Sequence, residues 1–120
     1  MKKPGKNPFV PAARGILETF RSERNFKIHL VCSVLVIALG LWLGLSTTDW
    51  VWIAGCIALV LSLELLNTAI EAVVDLASPG YHPLAKKAKD AAAGAVLIGA
   101  LFSVIIGTLI LLPKLCTFLF

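Results

Sequence analysis

The chain has 120 residues, 58% of them hydrophobic, with a mean hydropathy of +0.90 and a net charge of +4. A chain this short and this apolar cannot hide its surface in one water-soluble core, which points to a single small all-α domain, residues 1–120, with the bilayer as its solvent. The basic balance then reads as membrane topology and attraction to anionic lipid, with no nucleic acid as partner; Cys32, Cys56 and Cys116, odd in number and far apart, read as small buried hydrophobes and not as a disulfide or metal framework.

Residues 1–7 are basic, contain Pro4 and Gly5, and read as loose. Over 8–27, Phe9, Ala13, Ile16 and Phe20 fall on one helical stripe while Arg14, Glu18, Arg21 and Asn25 gather opposite. This predicts an amphipathic helix lying on the inner membrane surface, with Pro11 tolerated near its first turn. Counting about 100° per residue from Phe20 sets Glu23 near the apolar stripe, where it either pairs with Lys27 four residues on or serves a partner elsewhere. A first transmembrane helix is expected over 28–46; it is full length and starts only after residue 27, so it reads as a retained span and not a cleaved signal peptide. Thr47, Thr48 and Asp49, flanked by Trp42, Trp50 and Trp52, read as a tight outer turn at an aromatic belt.

The second span is expected over 50–75 and ends before a loop punctuated by Pro79, Gly80 and Pro83. The third, 85–112, starts with a short polar helical lead and carries Ala95, Gly99, Ser103 and Gly107 at every fourth position, a spacing that lets helix backbones approach closely, within or between subunits. Lys and Arg cluster before the first span and at Lys86, Lys87 and Lys89, so those regions should be cytoplasmic, with the C-terminal tail and Lys114 outside. No internal or inverted repeat is visible.

The chemistry concentrates in ELLNTAIEAVVD, residues 64–75. Glu64, Asn67, Glu71 and Asp75 are spaced by 3, 4 and 4 positions and share a helical arc of roughly 80°. If Trp50 marks the outer interface, Glu64 lies roughly 21 Å down the helix, near the inner polar boundary. An ionised carboxylate there costs several kcal/mol unless it is protonated, paired or coordinated. Its expected partners are Lys86, Lys87, Lys89, Arg24, Asn67 or a divalent cation. At that depth Glu64 suits a general base acting on a lipid group, Glu71 a Mg²⁺ ligand, and Asn67 a donor to a phosphoryl oxygen or an orienter of the base. Lys89 and Asp90 supply a cation and an acceptor on the opposite wall. The assortment fits phosphoryl transfer, with neither a P-loop nor a Gly-rich kinase loop in the chain. A polar glue between helices, a purely structural membrane protein and a small oligomeric ion or proton transporter are the competing readings; against the last, the acids crowd one end instead of crossing the bilayer.

ELLNTAIEAVVD, together with Tyr81-His82-Pro83 and Ala88-Lys89-Asp90 leading into an Ala/Gly-rich helix, resembles the prokaryotic diacylglycerol kinase family, small trimeric integral-membrane lipid kinases. The similarity runs roughly from Arg14 to Leu112, and ERNF with HPLAKKAKDAAAGAV looks most like its Gram-positive branch, whose members act mainly as undecaprenol kinases. The resemblance implies a bacterial cytoplasmic-membrane homotrimer whose sites are shared between subunits, using ATP and Mg²⁺ to phosphorylate undecaprenol, or alternatively diacylglycerol. It implies Glu64 as catalytic base, Glu23 and Glu71 as metal ligands, and Gly80, Tyr81, His82, Lys89 and Asp90 as nucleotide contacts. Two departures stand out: the better-known diacylglycerol kinases carry an acid at the position of Gly80, and aromatic and basic residues where this chain has Pro11 and Ala13.

Overall fold

The computed structural model describes residues 7–120, so most of the loose basic start falls outside the described residues. Four helices follow in order: α1 Phe9–Ser22, α2 Arg24–Leu43, α3 Thr47–Ala77 and α4 Pro83–Leu119. In α1, Pro11 is the third residue, where its missing N–H is one that no helix could satisfy. Phe9, Ala13, Ile16 and Phe20 stay exposed on this chain, and Thr19 is the buried residue.

The helix expected over 8–27 is broken at Glu23, which takes an extended conformation (φ −108°, ψ 114°) and lets α2 start at Arg24. The break carries Phe26 into the core, where it is 2% exposed. At the outer end α2 stops at Leu43, earlier than the expected Ser46, because Gly44 adopts the left-handed conformation (φ 72°) and its N–H closes on Gly40 O. Ser46 then caps α3: its hydroxyl accepts from Asp49 N, and Asp49 accepts from Ser46 N. This reciprocal box makes Thr47, Thr48 and Asp49 the first turn of α3 and not a free outer turn.

α3 runs for 31 residues, about 46 Å, two residues past the expected end at 75. α4 begins at Pro83, where His82 caps it, and passes through Pro113 to Leu119 instead of ending at 112. A proline inside a helix forfeits one backbone bond; here the last turns are held from the side, by Lys114 3.6 Å from Asp49 and by Phe118 with its ring centroid 4.4 Å from that of Trp42.

α3 and α4 form the most extensive packing in the molecule. A methyl added at Gly99 would sit 2.6 Å from Leu63 Cδ1, and Ser103 Oγ donates to Cys56 O at 3.4 Å. The buried small residues are Ala92 and Gly99, whereas Ala95 is exposed and Gly107 faces open space. The expected stripe therefore packs on α3 through its middle, and its two ends do not. Gly40 is more tightly enclosed: a methyl there would lie 2.8 Å from both Leu45 Cδ1 and the rigid Trp50 Cη2. Gly40→Ala should cost about 1–3 kcal/mol by overpacking, read as a lower midpoint in thermal unfolding of the micelle-solubilised protein; an unchanged midpoint would contradict the contact.

α2, α3 and α4 are each long and apolar enough to cross a membrane, and most of their large side chains face outward. Three such helices make this a multi-pass membrane protein, and its long axis of 56 Å exceeds a hydrocarbon core of about 30 Å.

Candidate active site at the polar end of the bundle

α3 brings Glu64, Asn67, Glu71 and Asp75 onto one face of its second half. Glu64 is 4% exposed. Its Oε1 lies 3.2 Å from Nε2 of His29 on α2. The partners expected from sequence did not include this imidazole, and among the described residues none of the side chains that were named pairs with the Glu64 carboxylate. The sequence offered a partial signal: α2 and α3 are consecutive helices joined by a short turn at Gly44, so the inner half of α2, where His29 lies, returns beside the inner half of α3. Thr68 Oγ1 donates to the Glu64 carbonyl at 3.0 Å and so holds the backbone, not the carboxylate.

One turn further, Asn67 Nδ2 donates to Glu71 Oε1 at 2.9 Å. Asn67 Oδ1 is buried and has no partner among the described residues. Asn67 thus commits one amide proton to Glu71 and keeps a second N–H and the Oδ1 acceptor free of side-chain partners among the described residues. A buried carbonyl left without a donor costs about 1–3 kcal/mol, so this oxygen is a free acceptor beside Glu71.

Asp75 accepts from Lys89 Nζ at 2.5 Å, and Asp90 from Lys86 Nζ at 2.6 Å. Lys89 therefore turns across to α3, while Asp90 turns along α4 toward Lys86. Each accepted hydrogen bond holds its lysine's ammonium above the ordinary lysine range, Lys89 through Asp75 and Lys86 through Asp90; both lie in the polar lead of α4, ahead of its apolar run. Asp75, which the sequence left without a role, is the residue that ties Lys89 to α3.

In the α3–α4 connection Gly80 O accepts from Ser78 Oγ, Tyr81 is exposed, and His82 Nδ1 accepts from Leu84 N at 3.1 Å, so the imidazole caps α4. Glu23 sits at the α1–α2 joint, half-buried, where its side chain caps neither helix entry nor exit. A cleft of about 510 Å³ between α1 and α3, lined by Gly15, Thr19, Ser22, Leu65, Thr68 and Ala69, sets the end of α1 at the level of the ribbon. Among the described residues no three His, Cys, Asp or Glu side chains converge as a metal centre within one chain.

The family model for prokaryotic diacylglycerol kinase matches residues 11–111. The chain belongs to that family. Among its relatives, the undecaprenol kinase of Bacillus subtilis is 55% identical over 89% of this chain and 87% of its own length. The diacylglycerol kinase of Synechocystis is 47% identical over 89% of this chain and 62% of its own length, and that of Escherichia coli K12 is 35% identical over 77% and 75%. As a member of this family the protein is a lipid kinase, and membership implies use of ATP.

Proposed function

We propose that the protein is an undecaprenol kinase, transferring the γ-phosphoryl group of ATP to the hydroxyl of undecaprenol at the cytoplasmic face of a bacterial membrane. The observation that carries the choice of acceptor is the 55% identity to an undecaprenol kinase over nearly all of both chains. Diacylglycerol is the second acceptor to test, because the relatives at 47% and 35% carry that name. The transporter reading has no support from a chain that belongs to a kinase family.

In this reading the hydroxyl enters beside the buried Glu64 carboxylate, which takes its proton as the oxygen attacks the γ-phosphorus. The bond from that phosphorus to the β–γ bridging oxygen breaks, and ADP leaves. Glu23 and Glu71 would hold Mg²⁺. The donor set fits this hard cation: two carboxylates and the unpartnered Oδ1 of Asn67 are oxygen ligands, and Mg²⁺ takes few protein oxygens beside phosphate and water. When bound it supplies charge neutralisation at the β- and γ-phosphates. Lys89 adds a second positive charge, while Gly80, Tyr81, His82 and Asp90 border the nucleotide. In a homotrimer, neighbouring subunits would complete each site. The N-terminus and the α3–α4 connection are cytoplasmic, by their Lys and Arg, and α1 rests its apolar stripe on the inner leaflet.

The test is phosphorylation in mixed micelles with labelled ATP and Mg²⁺, comparing kcat/KM for undecaprenol and diacylglycerol. A higher value for undecaprenol is expected; a higher value for diacylglycerol would reassign the acceptor, and no labelling of either would end the reading. Asp75→Ala, which removes the acceptor that holds Lys89, should raise the KM for ATP several-fold with kcat little changed, whereas an unaltered KM would deny Lys89 its nucleotide role.

A further inference from the structure

The geometry points to His29 as a positioning residue for Glu64, a role that rests on the reading of Glu64 as the base. Glu64 has three rotatable side-chain bonds and, among the described residues, no other side chain pairs with its carboxylate. His29 Nε2, 3.2 Å from Oε1, fixes one carboxylate oxygen from the neighbouring helix and leaves the other to meet the acceptor hydroxyl. The tautomer that does this carries its proton on Nε2. The two groups have unequal exposure, 27% for the His29 side chain and 5% for that of Glu64, so the imidazole stands between the buried acid and the outside. His29 is well placed to be stiff: it lies in the second turn of α2, after the buried Phe26, and its carbonyl accepts from Ser33 Oγ at 2.7 Å. It also lines an apolar groove of about 530 Å³ between α2, α3 and α4, with Cys32, Val36, Cys56 and Val60.

A base held within a fraction of an ångström of its proton is worth far more than one that samples several rotamers; a misplacement of about 1 Å can cost about 10²-fold. His29→Leu keeps the groove wall apolar and removes the nitrogen alone. It should lower kcat by roughly ten- to a hundred-fold with the KM values for ATP and undecaprenol within about twofold. His29→Gln, whose amide nitrogen reaches about as far as Nε2, should restore most of kcat, and His29→Asn, one carbon shorter, should not. A kcat for His29→Leu within twofold of the parent, or equal losses in Leu and Gln variants, would overturn the proposal.

A second arm does not depend on turnover. The chain has two histidines, His29 and His82, so their imidazole ¹⁵N resonances in the micelle-bound full-length protein can be assigned by one His82→Gln sample. The His29 signals should report the Nε2–H tautomer and move when Glu64 becomes Gln; signals that do not respond would show the contact to be absent. If Glu64→Gln kept full kcat while the His29 signals still moved, the base assignment would fall and the contact would stand.

Discussion

Replacing Glu64 by Gln is expected to lower kcat for lipid phosphorylation by about 10²–10⁴-fold, the usual contribution of a positioned general base, or about 3–5.5 kcal/mol of barrier. The substitution is nearly isosteric, and the Gln carbonyl still offers His29 Nε2 an acceptor where Oε1 now lies 3.2 Å away. What is lost is a group that can take a proton. Because Glu64 is 4% exposed, removing its charge relieves a desolvation cost, so the midpoint of thermal unfolding should stay the same or rise. The KM for ATP should hold within about twofold. Steady-state kinetics and thermal unfolding on the same preparation check both parts; a variant with more than a tenth of the parent kcat would refute the base.

Glu71→Gln should be nearly as severe, through a different variable. The Gln carbonyl can still accept from Asn67 Nδ2 as Glu71 Oε1 does at 2.9 Å, so the ribbon keeps its shape while losing a negative ligand. A Mg²⁺ site with one carboxylate fewer should need at least ten-fold more metal for half-maximal rate, or give no turnover at millimolar Mg²⁺. Binding of Mn²⁺ followed by electron paramagnetic resonance gives a readout apart from catalysis and should weaken in parallel. Glu23→Gln should behave alike, since the carboxylate at the joint caps neither adjoining helix. Unchanged Mg²⁺ dependence in both variants would remove the metal assignment.

The ribbon itself was readable from spacing alone, because positions 64, 67, 71 and 75 share a helix face whatever that helix packs against. Three apolar helices were readable for the same reason, as length and hydropathy are local properties. What pairs with each acid was not, since it depends on which helices meet and at what height. The pairing of His29 with Glu64 is of that kind: it follows from how α2 packs on α3 and not from a count along either helix. The break at Glu23 was hidden because no Pro or Gly announces it; the helical count from Phe20 runs straight through a residue that is extended. The outer end failed differently: Ser46 and Asp49 spell a capping box, and the three tryptophans around them drew attention to the interface instead. Asp75 had no role legible in the sequence, because its partner Lys89 comes from another helix.

The heights of these groups also constrain the membrane around them. On α3 the uncharged residues 50–63 rise only about 20 Å, roughly 10 Å short of a common hydrocarbon core, before Glu64 interrupts them. A stretch that falls short is met by local thinning of the lipid, by snorkelling of flanking residues or by association of helices. A bilayer drawn down beside α3 lowers its headgroup layer to the acid, so a lipid acceptor can present its hydroxyl at that level without lifting any of its chain into water.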